Sequence, residues 1–160
     1  MGQYEIVNNC EQKLKNWMAE NKVQAKHLHF ENSVHTVEEA CKEANANPED
    51  FVKNICMVDA KGNLIVAIVK GETRASTKRV GKALNIECPR TATPEQATEK
   101  TGYPCGGTPS FGYRAIFLID EKVMEKNAIY TGGGSENSLV KISPKELQKA
   151  NAGQIARIRK

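Results

Sequence analysis

Short runs of hydrophobic residues divide this chain into predicted helices and strands. Apolar residues at helical spacing predict an amphipathic helix from Glu11 to Lys22. The run from Leu64 to Val69 is almost continuously apolar, which is typical of a central strand covered on both faces. Shorter apolar runs predict further strands at His27–Phe30, Ile55–Val58, Ile86–Cys88, Tyr113–Ile119, Ala128–Thr131 and Ser138–Ile142.

Capping residues mark where the other helices begin. Thr36 and Glu39 form a capping box, which satisfies two free backbone donors at a helix start. The predicted helices run from Thr36 to Ala46, from Ala75 to Leu84, onward from Thr93 and onward from Ser143. The chain has no internal repeat or linker. We therefore predict one domain over residues 1–160 of the mixed α+β (α/β) class, with helices packed on a central sheet that mixes strand directions.

Composition indicates a soluble globular protein. The 160 residues are 39% hydrophobic and 26% charged, and no stretch approaches the about 20 apolar residues of a membrane span. The N-terminal segment lacks the pattern of a secretory signal, so we expect a cytoplasmic protein without membrane contact. Lys and Arg total 23 against 19 Asp and Glu, a balance that permits nucleic-acid binding without requiring it.

The five cysteines form no C-x-x-C pair, so neither a zinc site nor a disulfide framework is predicted. Free thiols are typical of a reducing compartment. Cys105 lies in a glycine-rich loop, and we interpret it as a loop thiol without chemistry. His27, His29 and His35 have no metal-ligand spacing, and we interpret them as structural or solvent-facing.

The glycine-rich loop from Thr101 to Gly112 is the segment most suggestive of a binding site. It concentrates glycines and prolines that helices and strands avoid, and it precedes a predicted strand. Such a loop presents backbone N–H groups to a ligand, and consecutive glycines permit close approach. We interpret it as the wall of a pocket for a small molecule or an RNA terminus.

Lys53 is the side chain that we single out, since it stands at a junction between helix and strand, among apolar neighbours. An ordinary lysine that buries its stem and exposes its ammonium explains the same pattern. The run Gly132 to Gly134 is a second glycine-rich element, and a hairpin turn is its commonest use. Neither glycine cluster has a P-loop or G-x-G-x-x-G pattern, which disfavours nucleotide hydrolysis.

Basic residues recur every four positions from Lys70 onward. From Arg74 they are predicted to share one helical face with Lys78 and Lys82. A row of this kind is usually a solvated surface. The alternative is a track for phosphates, which contributes affinity without reading sequence.

The order of these elements resembles the YbaK/prolyl-tRNA synthetase editing-domain family, the aminoacyl-tRNA deacylases. The resemblance covers about residues 27–150 and leaves 1–26 as an N-terminal helical extension. It implies a twisted, mostly antiparallel mixed sheet flanked by helices. The matching segments are Thr36–Ala40, Val52–Asn54 with Asp59, Val69–Gly71, Thr101–Tyr103, Gly106–Gly112, Ile119–Glu121, Thr131–Gly134 and Ile142–Leu147.

The resemblance also implies roles for individual residues. Lys53 corresponds to the best-marked catalytic-site residue, and Gly106 and Gly107 are expected to hold the ester region with backbone groups. Asn54 stands where alanine-removing members have Asn, whereas many members have Pro at the position of Ser110. The expected substrate-binding residues are Asn54, Thr108, Pro109, Ser110, Gly132, Gly133 and Gly134, and the expected tRNA-binding residues are Arg74, Lys78 and Lys82.

The implied activity is trans-editing: hydrolysis of the ester of a mischarged tRNA, with Cys or Ala on the proline tRNA as leading substrates. The implied partners are the aminoacylated 3′ end of tRNA and prolyl-tRNA synthetase, and no cofactor or metal is implied. An aminoacyl ester is already activated, so a positioned water and oxyanion donors suffice for its hydrolysis. The alternative hypothesis is a non-catalytic module of the same fold that binds tRNA or a synthetase.

Overall fold

The structure is a computed structural model that describes the backbone of residues 3–160 and side chains from residue 9 onward. The first two residues of the predicted N-terminal extension lie outside this range. The helices are α1 (Gln3–Glu20), α2 (Val37–Ala44), α3 (Thr77–Leu84), α4 (Pro94–Thr101) and α5 (Pro144–Asn151), with short 3-10 helices at Pro48–Asp50 and Val123–Glu125. The strands are β1 (Ala25–His29), β2 (Val52–Val58), β3 (Leu64–Lys70), β4 (Arg90–Thr91), β5 (Ile116–Asp120), β6 (Ile129–Gly132), β7 (Ser138–Ile142) and β8 (Gln154–Ala156).

The mixed α+β class is confirmed, but the prediction of a single central sheet was wrong. The strands form two sheets, one of three strands in the order β1-β7-β6 and one of five in the order β4-β2-β3-β5-β8. The three-stranded sheet is antiparallel throughout, whereas β5 pairs parallel to both β3 and β8. An isolated parallel bridge between Phe51 and Tyr130 joins the two sheets next to the start of β2.

Two hydrophobic clusters cover the faces of the five-stranded sheet. The larger cluster includes Val66 and Ile68 of β3 and also receives Leu14 and Met18 from α1. Helix α1 is fixed there further by Trp17, whose ring stacks on Phe111 at 5.5 Å between centroids. The second cluster packs α3 against the opposite face. Helix α1 is therefore a part of the main core.

Hydrogen bonds at the chain's turns explain where the predicted elements differ from the observed ones. The strand predicted at Ile86–Cys88 does not form, because the Ile86 amide donates to the Gly81 carbonyl in the C-terminal cap of α3. The edge strand follows instead at Arg90–Thr91 and pairs with β2. The strand predicted to start at Tyr113 begins at Ile116, because the Tyr113 hydroxyl bonds back to the Pro109 carbonyl within the loop.

The C-terminal segment adds a strand that the sequence pattern did not predict. Strand β8 pairs with β5, and Ile158 beyond it is fully buried. Asp120, 1% exposed, holds this segment: its Oδ1 accepts from the amides of Ile158 and Arg159 at 2.9 and 3.1 Å. The Arg159 guanidinium bonds to Oδ2 at 3.0 Å. The tail is thus ordered by a buried ion pair.

Among the described residues, no helix combines the length and apolar character that crossing a membrane requires.

Removing the Asp120 carboxylate is expected to destabilise the fold strongly, because it leaves two amides without their acceptor and a partly buried guanidinium with only the exposed Glu121 carboxylate, 3.4 Å away. We expect Asp120→Ala to lower the free energy of unfolding by about 3 kcal/mol in urea titrations. Glu121→Ala is the control, since that carboxylate is exposed and its loss should change the value by less than about 0.5 kcal/mol. Equal effects of the two substitutions would contradict the assignment of Asp120 as the anchor of the tail.

Candidate active site

A cavity of about 230 Å³ lies where the two sheets and the glycine loop meet. One part of its wall is apolar and comes from α2, the segment before it, and strands β2 and β7. The other part carries polar side chains and bare backbone. The lining residues are Val34, His35, Thr36, Val37, Ala40, Phe51, Val52, Lys53, Asn54, Ile55, Gly106, Thr108, Tyr130, Thr131, Gly132 and Leu139.

Lys53 lines this cavity from the second residue of β2. Its side chain is partly buried, and no carboxylate of the described residues lies within 4.0 Å of its ammonium. Burial lowers the pKa of Lys53 below its usual value, and the positive charge of Arg74 lowers it further. An unpaired cation with a perturbed pKa in a cavity is a common feature of functional sites.

Gly106 lines the same cavity as Lys53 and is covered by the His35 imidazole. The residue has φ of +87°, which L side chains rarely adopt, and a Cβ there would collide with the ring. In the described residues, the Gly106 amide makes no backbone hydrogen bond. The structure therefore places an unused donor and an imidazole at the same wall.

Asn54 fastens the glycine loop to the two sheets. Its amide nitrogen donates to the Thr108 carbonyl at 2.9 Å and to the Thr131 hydroxyl at 3.0 Å. Its Oδ1 accepts from the Ser110 hydroxyl at 2.6 Å, and that hydroxyl lies 2.7 Å from the Thr131 Oγ1. Ser110 and Thr131 are almost completely buried. The side-chain donors and the acceptor of Asn54 are therefore occupied by bonds that hold the loop in place.

Five of the predicted catalytic and substrate-binding residues line the cavity together: Lys53, Asn54, Gly106, Thr108 and Gly132. The other five do not line it. Pro109 and Ser110 point into the protein, and Gly133 and Gly134 are buried beyond the end of β6. Gly107 is also buried behind the cavity wall. These placements correct the expectation that the whole loop and the whole glycine run face a ligand.

The amide of Gly107 is not the free donor that we expected. It donates to the Pro104 carbonyl at 3.1 Å and so closes a turn within the loop. The Gly107 carbonyl accepts from the Gly134 amide at 2.8 Å. Both backbone groups of Gly107 are engaged, because the two glycine-rich elements pack on each other.

The predicted basic row is also corrected. Helix α3 begins at Thr77, capped by the Ser76 hydroxyl, so Arg74 precedes the helix and does not share its face. Lys78 and Lys82 are exposed on α3, and Arg74 is exposed close enough to Lys53 to affect its pKa. The Lys160 amide bonds to the Arg74 carbonyl at 2.8 Å, so the basic C-terminus lies beside this segment.

Sequence reasoning missed His35, Thr131 and Tyr130 as cavity residues. His35 follows a loop and has no motif around it, and it is half-exposed, with Nδ1 3.8 Å from a Glu136 oxygen. Its position next to the Thr36 cap was the only available signal. By contrast, His27 and His29 are structural: His27 Nε2 contacts the Gly133 carbonyl at 2.7 Å, and burial lowers its pKa.

No group of three or more His, Cys, Asp or Glu side chains among the described residues is arranged to hold a metal ion.

Comparison with known proteins assigns the chain to a family. Residues 31–150 match the sequence model of the aminoacyl-tRNA editing domain, so the chain belongs to the aminoacyl-tRNA editing-domain family. The resemblance noted from the motifs is thereby confirmed.

Several individual proteins are similar to this one. The uncharacterized protein YwhH of Bacillus subtilis is 23% identical over 141 residues, 87% of each chain. A proline–tRNA ligase of Oleidesulfovibrio alaskensis is 32% identical over 89 residues, which are 54% of this chain and 15% of the ligase. The crystal structure of hypothetical protein APE2540 has a TM-score of 0.86 at 25% identity and covers 92% of this chain and 99% of its own. The crystal structure of a candidate trans-editing enzyme for prolyl tRNA synthetase has a TM-score of 0.86 at 24% identity. The match covers 94% of this chain and 97% of that protein, and it confirms the fold.

The charge of Arg74 is expected to hold down the pKa of Lys53. In Arg74→Ala the pKa of Lys53 should rise toward its usual value, because a neighbouring cation disfavours the charged form. An NMR titration of the Lys53 side chain measures this. Arg90→Ala is the control, since Arg90 pairs with Val58 at the other end of β2. An unmoved titration in Arg74→Ala, or an equal shift in the control, would refute the coupling.

Proposed function

We propose that this protein is a trans-editing deacylase that hydrolyses the ester of a mischarged tRNA. The observation that carries the proposal is the meeting of the unpaired Lys53 ammonium and the unused Gly106 amide in one cavity. Membership of the aminoacyl-tRNA editing-domain family supports it, as does the similar fold of the candidate trans-editing enzyme.

The site is suited to an activated ester. A water oxygen attacks the carbonyl carbon and gives up a proton, the bond to the terminal ribose oxygen breaks, and that oxygen takes up a proton, so the products are the free amino acid and the ribose hydroxyl. Negative charge develops on the carbonyl oxygen before the bond breaks, and donors placed there lower the barrier. Lys53 neutralises charge near the ribose and the ester, and the Gly106 amide orients the carbonyl. Positioning and electrostatics thus replace a nucleophilic side chain.

The substrate is a small aminoacyl group. The apolar wall leaves little room beside the ester in a cavity of about 230 Å³. We propose Cys or Ala on the proline tRNA, in line with the similarity to part of a proline–tRNA ligase. Asn54 bears on this choice indirectly, since it fixes the loop that bounds the cavity.

The RNA contacts the basic surface beside the cavity. Arg74 lies near Lys53, and the exposed Lys78 and Lys82 extend the positive charge along α3. Phosphate contacts of this type position the acceptor end without reading its sequence. Prolyl-tRNA synthetase is the proposed second partner, and the cytoplasm, where both tRNA and synthetase occur, is the proposed location.

The proposed reaction requires Lys53. We expect Lys53→Ala to abolish amino-acid release from Cys-, Ala-, Ser- and Pro-charged tRNAs while the circular dichroism spectrum stays unchanged. Lys61→Ala is the matched control, since Lys61 is exposed in the turn beyond the other end of β2, and it should retain full activity. Full activity in Lys53→Ala would eliminate the mechanism. Binding without release by the wild-type protein on every tRNA would identify a non-catalytic module instead.

The lysines of α3 are expected to set the salt dependence of tRNA binding. The slope of log K against log salt concentration is negative. In Lys78→Glu/Lys82→Glu its magnitude should decrease by about 2, one for each phosphate that a lysine no longer neutralises. Lys145→Glu/Lys149→Glu is the control, because it reverses two exposed charges at the same spacing on α5. Filter binding at several salt concentrations measures both. A slope equal to that of the wild type would show that the α3 row is a solvated face.

A further inference from the structure

We infer that Glu11 of helix α1 is a positioning residue for the cavity, although it lies outside the matched editing domain. This inference rests on the proposed function, because it assigns a role in that same site. The residues that carry it are linked from α1 to the cavity wall by hydrogen bonds and by the short stretches of backbone between them.

The path begins at a buried carboxylate. Glu11 is 4% exposed, and its Oε2 accepts from the Ser135 hydroxyl at 2.7 Å. Both carboxylate oxygens lie 3.0 Å from the Nδ1 of His29 on β1. Burying a carboxylate is costly unless its oxygens are satisfied. Glu11 therefore specifies one arrangement of α1, β1 and the turn that carries Ser135.

Ser135 lies in the 133–137 turn, which connects β6 to β7 and supports two walls of the cavity. On one side, the Gly134 amide donates to the Gly107 carbonyl at 2.8 Å. A Cβ at Gly107 would stand 2.6 Å from the Ser135 nitrogen, so the loop rests directly on the turn. Gly106, whose amide is proposed to orient the ester carbonyl, is the preceding residue of that loop.

On the other side, the turn holds the segment that carries His35. The Glu136 carbonyl accepts from the Val34 amide at 2.7 Å, and the Asn137 carbonyl accepts from Phe30 at 2.7 Å. The glycine loop and the segment that carries His35 meet where the His35 ring covers Gly106. Both are held by the 133–137 turn, which Glu11 fixes. A shift of this turn would move the donor and the imidazole relative to Lys53, which belongs to β2 and, among the described residues, makes no hydrogen bond to the turn.

Steady-state deacylation of the mischarged tRNA that the wild type hydrolyses tests the inference. Misplacement of about 1 Å costs about 100-fold, so Glu11→Ala is expected to lower kcat to that extent. KM should change little, because the basic surface of α3 is untouched. Glu11→Gln keeps a carbonyl that accepts from Ser135, and its kcat should lie between those of Glu11→Ala and the wild type. Glu20→Ala, an exposed position on the same helix, is the control and should match the wild type.

Ser135→Ala removes the same hydrogen bond from the side of the turn and tests the inference if Glu11→Ala fails to fold. Each substitution also removes contacts of its own, those of Glu11 with His29 and those of the Ser135 hydroxyl with Ser138 and the Asn137 amide. The double variant Glu11→Ala/Ser135→Ala should nevertheless lose less kcat than the two single losses combined, because both substitutions break the bond between Glu11 and Ser135. Fully independent effects of the two substitutions would overturn the inference. So would a Glu11→Ala enzyme with the kcat of Glu20→Ala.

Hydrogen exchange separates this inference from the proposed function. Exchange at the Gly134 amide should be faster in Glu11→Ala than in Glu20→Ala, whether or not any tRNA is hydrolysed. A wild-type protein that releases no amino acid would refute the proposed function but leave this measurement intact. Equal exchange in the two variants would overturn the inference by itself, even in an active enzyme.

Discussion

The hydrogen bonds of Asn54 are the constraint on which the site depends. One side chain on β2 binds the Thr108 carbonyl, the Thr131 hydroxyl and the Ser110 hydroxyl, and so it joins the five-stranded sheet, the glycine loop and the three-stranded sheet. Lys53 precedes it and lines the same cavity. Because Ser110 and Thr131 are buried and bonded to Asn54 and to each other, the network favours one arrangement of the loop.

Much of the fold followed from local signals in the sequence. The capping box at Thr36 forms as the residue types indicated, helix α4 begins directly after Thr93 as predicted, and the run Leu64 to Val69 is buried in the centre of its sheet. The two-sheet arrangement and β8 did not follow, because strand partners far apart in sequence leave no periodic trace. The strand at Ile86–Cys88 failed for a local reason, since the Ile86 amide is used by the helix cap.

The site was predicted in part, and the division has a physical explanation. Lys53 and Gly106 were identifiable because an isolated cation and a glycine–proline loop are unusual in themselves. His35 was not identifiable from the sequence. It belongs to the site because its ring covers Gly106, a residue far away along the chain. Ser110 and Asn54 were assigned to the ligand, whereas the structure uses them to bond one another. Composition identifies polar residues but not the partners that satisfy them.

The pairing of β1 with β7 has a consequence for how the protein is made. Residues 25–29 of β1 pair with residues 138–142 of β7, so β1 has no partner strand until more than 100 further residues have been synthesised. The cavity likewise joins residues 34–55 to residues 106–139. Closing such long loops is slow, since chain entropy is lost before distant contacts form. A nascent chain still held in the ribosome short of β7 therefore lacks part of the cavity wall, and the candidate site is completed only after β7 has been synthesised.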